Sequence, residues 1–424
     1  MKEKKSEAPR RGNEELFKWD GNPTFGQILP LAAQHVLAAV VGCVTPAILV
    51  ANAANNAGGN VNMGLLIQMS LVFAALSTFL QLYGNKIHLG SGLPVIIGVS
   101  FAYVPTMTAI AAQAQDVNTI FGAMIVGGIV AIIVGLTIKQ IRKVFPPLVI
   151  GTVIFAIGLS LYKTAINYMA GNSANTYEVI VEQRGQTAAL VYGSWQNWLV
   201  SLVTLAIVIG LNHYGKGLFK LASILIGLVC GYVLALCFGM VDFSALSNAG
   251  WFQLPQPFAF GVKFDISAII PLAILFLVNS IQAMGDFSAT TSGGMDRLPT
   301  DQELNGGIIG YGISNIVSAC FGCPPTATYS QNVGIVSTTK VVSRVVMGMA
   351  AVILLAAGLI PKFSSLLTTI PYCVLGGATI SVFASITMTG IKLITTEPMD
   401  FRNTTVVGLA VAVGMGVTLS LIHI

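Results

Sequence analysis

One acidic side chain lies where a charge is costly. Asp286 ends a run of mostly apolar residues that begins at Pro271, whereas the other acidic residues lie in the polar N-terminus, in loops or at span edges. A carboxylate at membrane depth is strongly disfavoured unless it is paired, protonated or in contact with water. Asp286 is therefore predicted to carry a proton or to contact a substrate. The alternative is a protonated carboxyl group that bonds neighbouring backbone and has a structural role only.

Three side-chain amides accompany this acid. Gln282 lies one helical turn before Asp286, so the two side chains share one face of a helix. Gln331 and Asn332 stand at the predicted start of a later helix, where backbone N–H groups have no intrahelical acceptor. An amide can both donate and accept hydrogen bonds along the edge of a planar heterocycle. The alternatives are hydrogen bonds between helices for Gln282 and a bracing role for Asn332.

A histidine and a cysteine pair are the remaining candidates. His35 is the only histidine inside a predicted span. It is interpreted either as a hydrogen-bonded structural residue or as a brace near Asp286 that takes part in handling the proton. Cys320 and Cys323 have a spacing that metal sites use, but no second cysteine or histidine pair accompanies them. We therefore interpret the cysteines as packing residues and expect neither a metal nor a cofactor.

The composition is that of a membrane protein. Of the 424 residues, 54% are hydrophobic and 9% are charged, against about 25% charged in soluble domains. Apolar stretches long enough to cross a bilayer recur along the chain, and polar loops are predicted at 165–195 and 241–263. The pattern predicts an all-α polytopic membrane protein. Its thirteen spans begin near Phe25, Met63, Leu93, Thr119, Val144, Asn197, Leu218, Ile266, Asn305, Ala327, Arg344, Leu366 and Thr404.

The basic residues indicate the orientation of the spans. With the N-terminus inside, 17 of the 21 lysines and arginines fall on the inner side, as the positive-inside rule requires. The four on the outer side are Lys163, Arg184, Lys263 and Lys362. We therefore expect a multi-pass protein of the plasma or inner membrane, embedded in the lipid bilayer, with a cytoplasmic N-terminus. No basic patch with interleaved aromatic residues occurs, so no nucleic-acid partner is expected.

Two spans are interrupted in the same way. Residues 90–104 and 322–334 both contain Gly-x-Pro, followed by small, β-branched and hydroxyl residues. Proline and glycine break helices, and irregular backbone at membrane depth persists only where it is buried or lines a water-filled cavity. Paired interruptions of this kind mark the binding sites of transporters. They make Ser100, Phe101 and Ala102 candidate site residues, although Phe101 suits core packing equally well.

A second pair of related stretches supports an internal repeat. Residues 144–151 match residues 369–376 at a proline and a glycine, with an offset of 225 residues. That offset is close to the 230 residues between Gly92 and Gly322 of the interrupted spans. If it covers seven helices, an odd number, the two repeats have inverted topologies.

The stretch from Gln331 to Lys340 resembles the Gln/Glu-Asn-x-Gly signature of the nucleobase–ascorbate transporter family. Gln34–His35, Ser100–Ala102 and Gly285–Asp286 are similar to other positions of that family, so the resemblance covers essentially the whole chain. It implies a 7+7 inverted-repeat transporter fold with two broken segments, each a short strand plus a half-helix, and a substrate between them. It also implies a homodimer.

The resemblance further implies a division into domains. Spans 1–4 and 8–11 would form a core domain, and spans 5–7 and 12–14 a gate domain. The implied boundaries are 1–24 for a cytoplasmic tail, 25–143, 263–343 and 344–365 for the core, and 144–262 and 366–424 for the gate.

Three features depart from the family pattern. Gln282 stands where the family usually has a substrate-binding Glu, and Tyr311 stands where it often has Asp or Asn. The chain ends at Ile424 within the thirteenth predicted span, so the fourteenth is missing, which we interpret as truncation.

Residues and resemblance together predict a proton-coupled symporter that imports a purine nucleobase, xanthine or uric acid, by alternating access. Gln331 and the small Ala102 favour a purine, since uracil carriers of the family tend to have Glu before Asn-x-Gly. A uracil permease of the same family and an anion carrier on the same fold are the alternatives. An enzyme is not expected, because no paired acid or nucleophile–base set is evident. A nucleotide-binding loop is missing, so ATP is not expected to drive transport directly.

Overall fold

The computed structural model describes residues 14–138, 146–216, 218–247 and 249–420. Within these ranges most of the chain is helical. The helices of eight or more residues are α1 (Phe25–Asn56), α2 (Met63–Tyr83), α3 (Val104–Ala114), α4 (Asn118–Leu136), α5 (Pro147–Met169), α6 (Trp195–Tyr214), α7 (Ser223–Cys237), α8 (Ile266–Gly294), α9 (Asp301–Cys320), α10 (Ser330–Thr339), α11 (Arg344–Gly358), α12 (Pro361–Thr368), α13 (Tyr372–Ile394) and α14 (Phe401–Ser420).

Seven of the described helices are long and apolar enough to cross a membrane, and the number is up to eight if α11 and α12 count as one bent span. The seven are α1, α2, α4, α5, α6, α8 and α13. The protein is therefore a multi-pass membrane protein. The predicted starts near Phe25, Met63 and Ile266 coincide with the starts of α1, α2 and α8. The predicted start near Val144, the 143/144 boundary, most of the predicted tail 1–24 and the terminal Ile424 lie outside the described residues.

The predicted twelfth span does not begin near Leu366. That residue belongs to the short helix α12, which is bent by 77° from α11. The next long helix, α13, starts only at Tyr372, after Pro371. Proline has no backbone N–H and its ring clashes with the preceding turn, so one continuous helix through Pro371 is disfavoured. The apolar pattern alone did not separate the two helices.

Two three-residue strands lie where the helices are interrupted. Strand β1 (Ile97–Val99) pairs antiparallel with strand β2 (Thr326–Thr328), and Gly98 lies opposite Ala327. Each strand leads into a short helix, β1 through a 3-10 turn into α3 and β2 directly into α10. The predicted combination of a short strand with a half-helix is therefore present in both halves of the chain.

The Gly-x-Pro stretches explain why helix gives way to strand. Gly92 and Gly322 have φ angles of +68° and +80°, a left-handed conformation that side chains with a Cβ atom rarely adopt. The prolines that follow, Pro94 and Pro324, cannot donate the backbone hydrogen bond of a helix. Both features turn the chain out of helical geometry before each strand.

Side chains complete the hydrogen bonding of the strand pair. Thr78 of α2 accepts from the backbone N–H of Ile97, the first residue of β1, at 3.0 Å. Asn315 of α9 accepts from the N–H of Thr326, the first residue of β2, at 2.9 Å. Unpaired backbone groups are costly at membrane depth. By pairing the N–H groups at the strand starts, these two side chains stabilise the short strands there.

The packing of the helices repeats between the two halves. Helix α2 packs on α11, and its counterpart α9 packs on α4. Helix α1 contacts α3 in the same way that α8 contacts α10, and α5 packs along α13. The counterparts β1 and β2 run in opposite directions, as repeats of inverted topology require.

The strand pair leaves no room for a side chain at Gly98. A Cβ atom there would lie 2.6 Å from the Tyr329 ring and 2.8 Å from the Cys43 sulfur. We expect Gly98→Ala to lower the stability by about 1–3 kcal/mol through overpacking. Thermal unfolding of the purified protein in detergent measures this loss. The matched control is Gly285→Ala, where nothing lies within 4 Å of the new atom, and equal midpoints for the two variants would contradict the tight packing.

Candidate functional site

A cavity of about 320 Å³ adjoins the strand pair. Its wall combines both broken segments with side chains from α1, α5, α6, α7, α8 and α13. Helix α13 contributes Val382, Ser385, Ile386 and Thr389, a spacing that puts all four on one helix face. The volume lies at the lower end of the ~300–1,000 Å³ typical of small-molecule sites.

Five of the predicted site residues line this cavity together. They are Ser100, Phe101, Ala102, Gln282 and Gln331. The two amides, from α8 and α10, form no hydrogen bond with any described residue. Their donor and acceptor groups are thus available to a bound molecule, which is what a reversible binding site for a polar heterocycle requires.

Asp286 lies directly behind the cavity wall. Its side chain is buried, and it accepts hydrogen bonds from the Ser330 hydroxyl at 2.7 Å and from the Thr328 hydroxyl at 2.5 Å. Among the described residues these two hydroxyls are its only side-chain partners. Both partners line the cavity, whereas Asp286 itself does not. The acid therefore connects α8 to the end of β2 and the start of α10.

His35 and Asn332 form a second buried connection. The Asn332 amide nitrogen donates to the His35 backbone carbonyl at 3.0 Å and to its Nδ1 atom at 3.1 Å. Because the same NH₂ group serves both contacts, Nδ1 is an acceptor and the neutral ring carries its proton on Nε2. Neither residue lines the cavity. The pair fastens α10 to α1, and His35 forms no hydrogen bond with Asp286 in the described part of the chain.

The local sequence explains why Gln331 is left free. Thr328 and Ser330 are bonded to Asp286, and Asn332 is bonded to His35. Between them, the Tyr329 hydroxyl donates to the carbonyl of Val99 at 2.7 Å, which fixes it against β1. Every neighbour of Gln331 is thus held by the protein, so this side chain projects from a rigid backbone.

The first broken segment is held in a comparable way. The Ser100 hydroxyl accepts from the backbone N–H of Ala102 at 3.2 Å. The Phe101 ring packs edge-on against Phe383 of α13, with centroids 5.4 Å apart. Phe101 therefore takes part in core packing and also borders the cavity. Tyr311, which departs from the family pattern, forms a buried hydroxyl–hydroxyl contact with Tyr103 and stays away from the cavity.

Sequence reasoning did not single out several residues of the site. Thr328 and Ser330 belong to the hydroxyl-rich stretch 322–334, but their shared partner Asp286 is distant in sequence. Lys220 resembles other lysines near span ends, and Val382, Ser385, Ile386 and Thr389 of α13 belong to no motif in the sequence. Within the described residues, no cluster of three or more His, Cys, Asp or Glu side chains could hold a metal ion.

A second cavity, of about 250 Å³, lies further along α1 and α13, which also line the first cavity. Helix α1 contributes Asn52 and α13 contributes Tyr372, and its polar lining includes the loop side chains Arg184 and Asp242. None of the predicted site residues lines it. The broken segments thus single out the first cavity as the candidate site.

Comparison with known proteins identifies the family. A family model described as "Permease family" (Xan_ur_permease) matches residues 26–422. The chain belongs to this permease family. The nucleobase–ascorbate transporter resemblance of the sequence is thereby confirmed, and the protein is a transporter and not an enzyme.

Several curated relatives of this permease match over nearly the whole chain. It is 31% identical to the xanthine permease XanQ of Escherichia coli (strain K12), over 97% of this chain and 88% of the relative. It is 33% identical to the uric acid permease PucJ of Bacillus subtilis (strain 168), over 92% and 84%. The xanthine permease of the same Bacillus strain is 32% identical, over 93% and 86%.

Solved structures of other transporters share the fold. The transmembrane domain of the cyanobacterial bicarbonate transporter BicA superimposes with a TM-score of 0.63 at 18% identity, covering 91% of this permease and 96% of that chain. Murine Slc26a9, an anion transporter, gives a TM-score of 0.54 at 13% identity, covering 99% and 73%. These likenesses confirm the predicted inverted-repeat transporter fold.

The different surroundings of Gln331 and Asn332 can be tested by thiol labelling. In a background without the native cysteines, we expect Gln331→Cys to react with a small methanethiosulfonate reagent that enters the cavity. Asn332→Cys should react far more slowly, because this side chain is fully buried. Labelling after denaturation controls for the amount of each variant. Equal rates in the folded protein would contradict the assigned orientations.

Proposed function

We propose that this permease is a proton-coupled symporter that imports a purine nucleobase, xanthine or uric acid, by alternating access. The observation that carries the proposal is the pair of free amides, Gln282 and Gln331, on the wall of a cavity between two broken segments. A buried acid, Asp286, lies one hydrogen bond behind that wall. Binding groups and a proton site are thus adjacent but distinct.

The chemistry of the wall supports an oxopurine as substrate. Such a base presents alternating C=O and N–H groups along its edge, and each amide can meet both kinds of group. Ala102 leaves space for the second ring, and the Phe101 ring offers an apolar face. The xanthine and uric acid permeases among the relatives support the same class of substrate.

The hydrogen bonds of Asp286 support proton coupling. As a carboxylate it accepts from the Thr328 and Ser330 hydroxyls. Once protonated, its own O–H group must donate to one of them, and that hydroxyl then points its hydrogen elsewhere. Since both hydroxyls line the cavity, proton binding changes the donors that a substrate meets.

The packing of the helices supports a core and a gate. We propose residues 25–143 and 263–365 as the core domain and residues 144–262 and 366–424 as the gate domain, with a cytoplasmic N-terminus and a homodimeric assembly. The cavity takes its amides from the proposed core and its α13 face from the proposed gate. Relative motion of the two groups would open the cavity to one side of the membrane at a time.

Competition for uptake tests the substrate class. In cells that express the full chain, unlabelled xanthine and uric acid are expected to displace labelled xanthine at lower concentrations than uracil does. The physical reason is the match between the amide edge and the larger oxopurine. Cells with an empty vector are the control. Displacement by uracil at the lower concentration would contradict the purine assignment, but the assignment as a nucleobase permease would still stand.

Removing the charge of Asp286 tests proton coupling. Asp286→Asn keeps the size of the side chain but cannot bind a proton at neutral pH, so uphill and pH-dependent accumulation should be lost. Exchange of labelled for unlabelled base across the membrane should persist if binding survives. The measurement is uptake into proteoliposomes with and without an imposed pH gradient. An unchanged response to the gradient would show that another group carries the proton.

A further inference from the structure

Among the residues that the structure describes, a single charged side chain lines the candidate cavity. Within the described residues that form its wall, Lys220 is the only Lys, Arg, His, Asp or Glu. It belongs to the helical turn Leu218–Leu221 between α6 and α7, close to Asn212 and Ser223 of the same wall. The cationic end of the cavity thus lies at the α6–α7 connection.

The charge of Lys220 is not neutralised by its surroundings. It forms no ion pair or hydrogen bond with any described residue. The elements packed against its turn are α1, α6 and α7, and none of them contains an Asp or Glu. Their titratable side chains are His35, which is bonded to Asn332, His213, Cys43, Cys230, Cys237, Tyr214 and Tyr232. The Lys220 side chain is exposed at the cavity wall, so its ammonium group, which has no partner among the described residues, is free to attract an anion that enters the cavity.

We propose that Lys220 makes this site selective for the anionic form of an oxopurine, such as the urate monoanion, over neutral bases. The inference rests on the proposed function and adds a residue that determines specificity. The amides and hydroxyls of the wall are neutral and recognise the edge of a base whatever its charge. Lys220 supplies the one interaction that distinguishes an anion from a neutral base of the same shape.

The charges also connect anion binding with the proton site. When Asp286 carries its negative charge, it balances the positive charge of Lys220, so the cavity wall and the acid behind it have a net charge of zero. An oxopurine anion adds one negative charge, and a proton on Asp286 restores neutrality. Anion and proton therefore favour each other's binding, as two ligands coupled through charge must do reciprocally.

Equilibrium binding to the purified full chain tests the proposal. Labelled urate and labelled xanthine are compared at a mildly acidic pH, where urate is an anion and xanthine is neutral. Because both bases are compared at one pH, they meet the same free protein, with Asp286 and His35 in the same protonation states before binding. We expect Lys220→Gln to weaken urate binding by about fivefold, the upper end for an exposed charge pair, and to leave xanthine binding within about twofold. Lys220→Arg should retain the preference for urate.

The controls separate charge selection from other roles. Lys216 lies four positions earlier outside the cavity wall, so Lys216→Gln should leave both affinities unchanged. Xanthine binding reports whether Lys220→Gln is folded, and Lys220→Met is a second variant that removes the charge and keeps an apolar stem. Equal effects on both bases, or none, would overturn the inference. A wild-type protein that binds neither base would refute the proposed function itself.

Discussion

The structure depends on the requirement that backbone N–H and C=O groups be hydrogen-bonded at membrane depth. Two spans break into extended chain, and each break exposes backbone groups that a helix would have paired. Strands β1 and β2 satisfy these groups by pairing with each other, and Thr78 and Asn315 satisfy the groups at the strand starts. Because the strands come from opposite halves of the chain, this pairing joins the two repeats beside the cavity.

The polar side chains around the strand pair fall into two groups, those bonded within the protein and those available to a ligand. Side chains that the backbone needs are engaged by the protein, as Asn332 is by His35 and Tyr329 is by Val99. Gln282 and Gln331 form no hydrogen bond with any described residue and remain available at the cavity wall. Gln282 is half-buried and Gln331 is exposed, so both amides can exchange hydrogen bonds with water for hydrogen bonds with a ligand in the cavity.

The sequence predicted those parts of the fold that local physics determines. The lengths of the apolar stretches located the spans. The Gly-x-Pro motifs located both broken segments, because helix disruption by these residues is a local effect. The separation of α12 from α13 was missed, since the apolar pattern continues through Pro371. The partners of Asp286 and the position of Lys220 in the cavity depend on how distant segments pack, which no spacing in the sequence reveals.

The most direct test of the account is a structure of the full chain with xanthine bound, determined by cryo-electron microscopy. The account predicts density for the base in the cavity between the two broken segments, with the amides of Gln282 and Gln331 within hydrogen-bonding distance of its edge. It also predicts that Asp286 stays behind the wall, bonded to Ser330. Xanthine bound instead in the cavity lined by Asn52 and Arg184, with the first cavity empty, would contradict it.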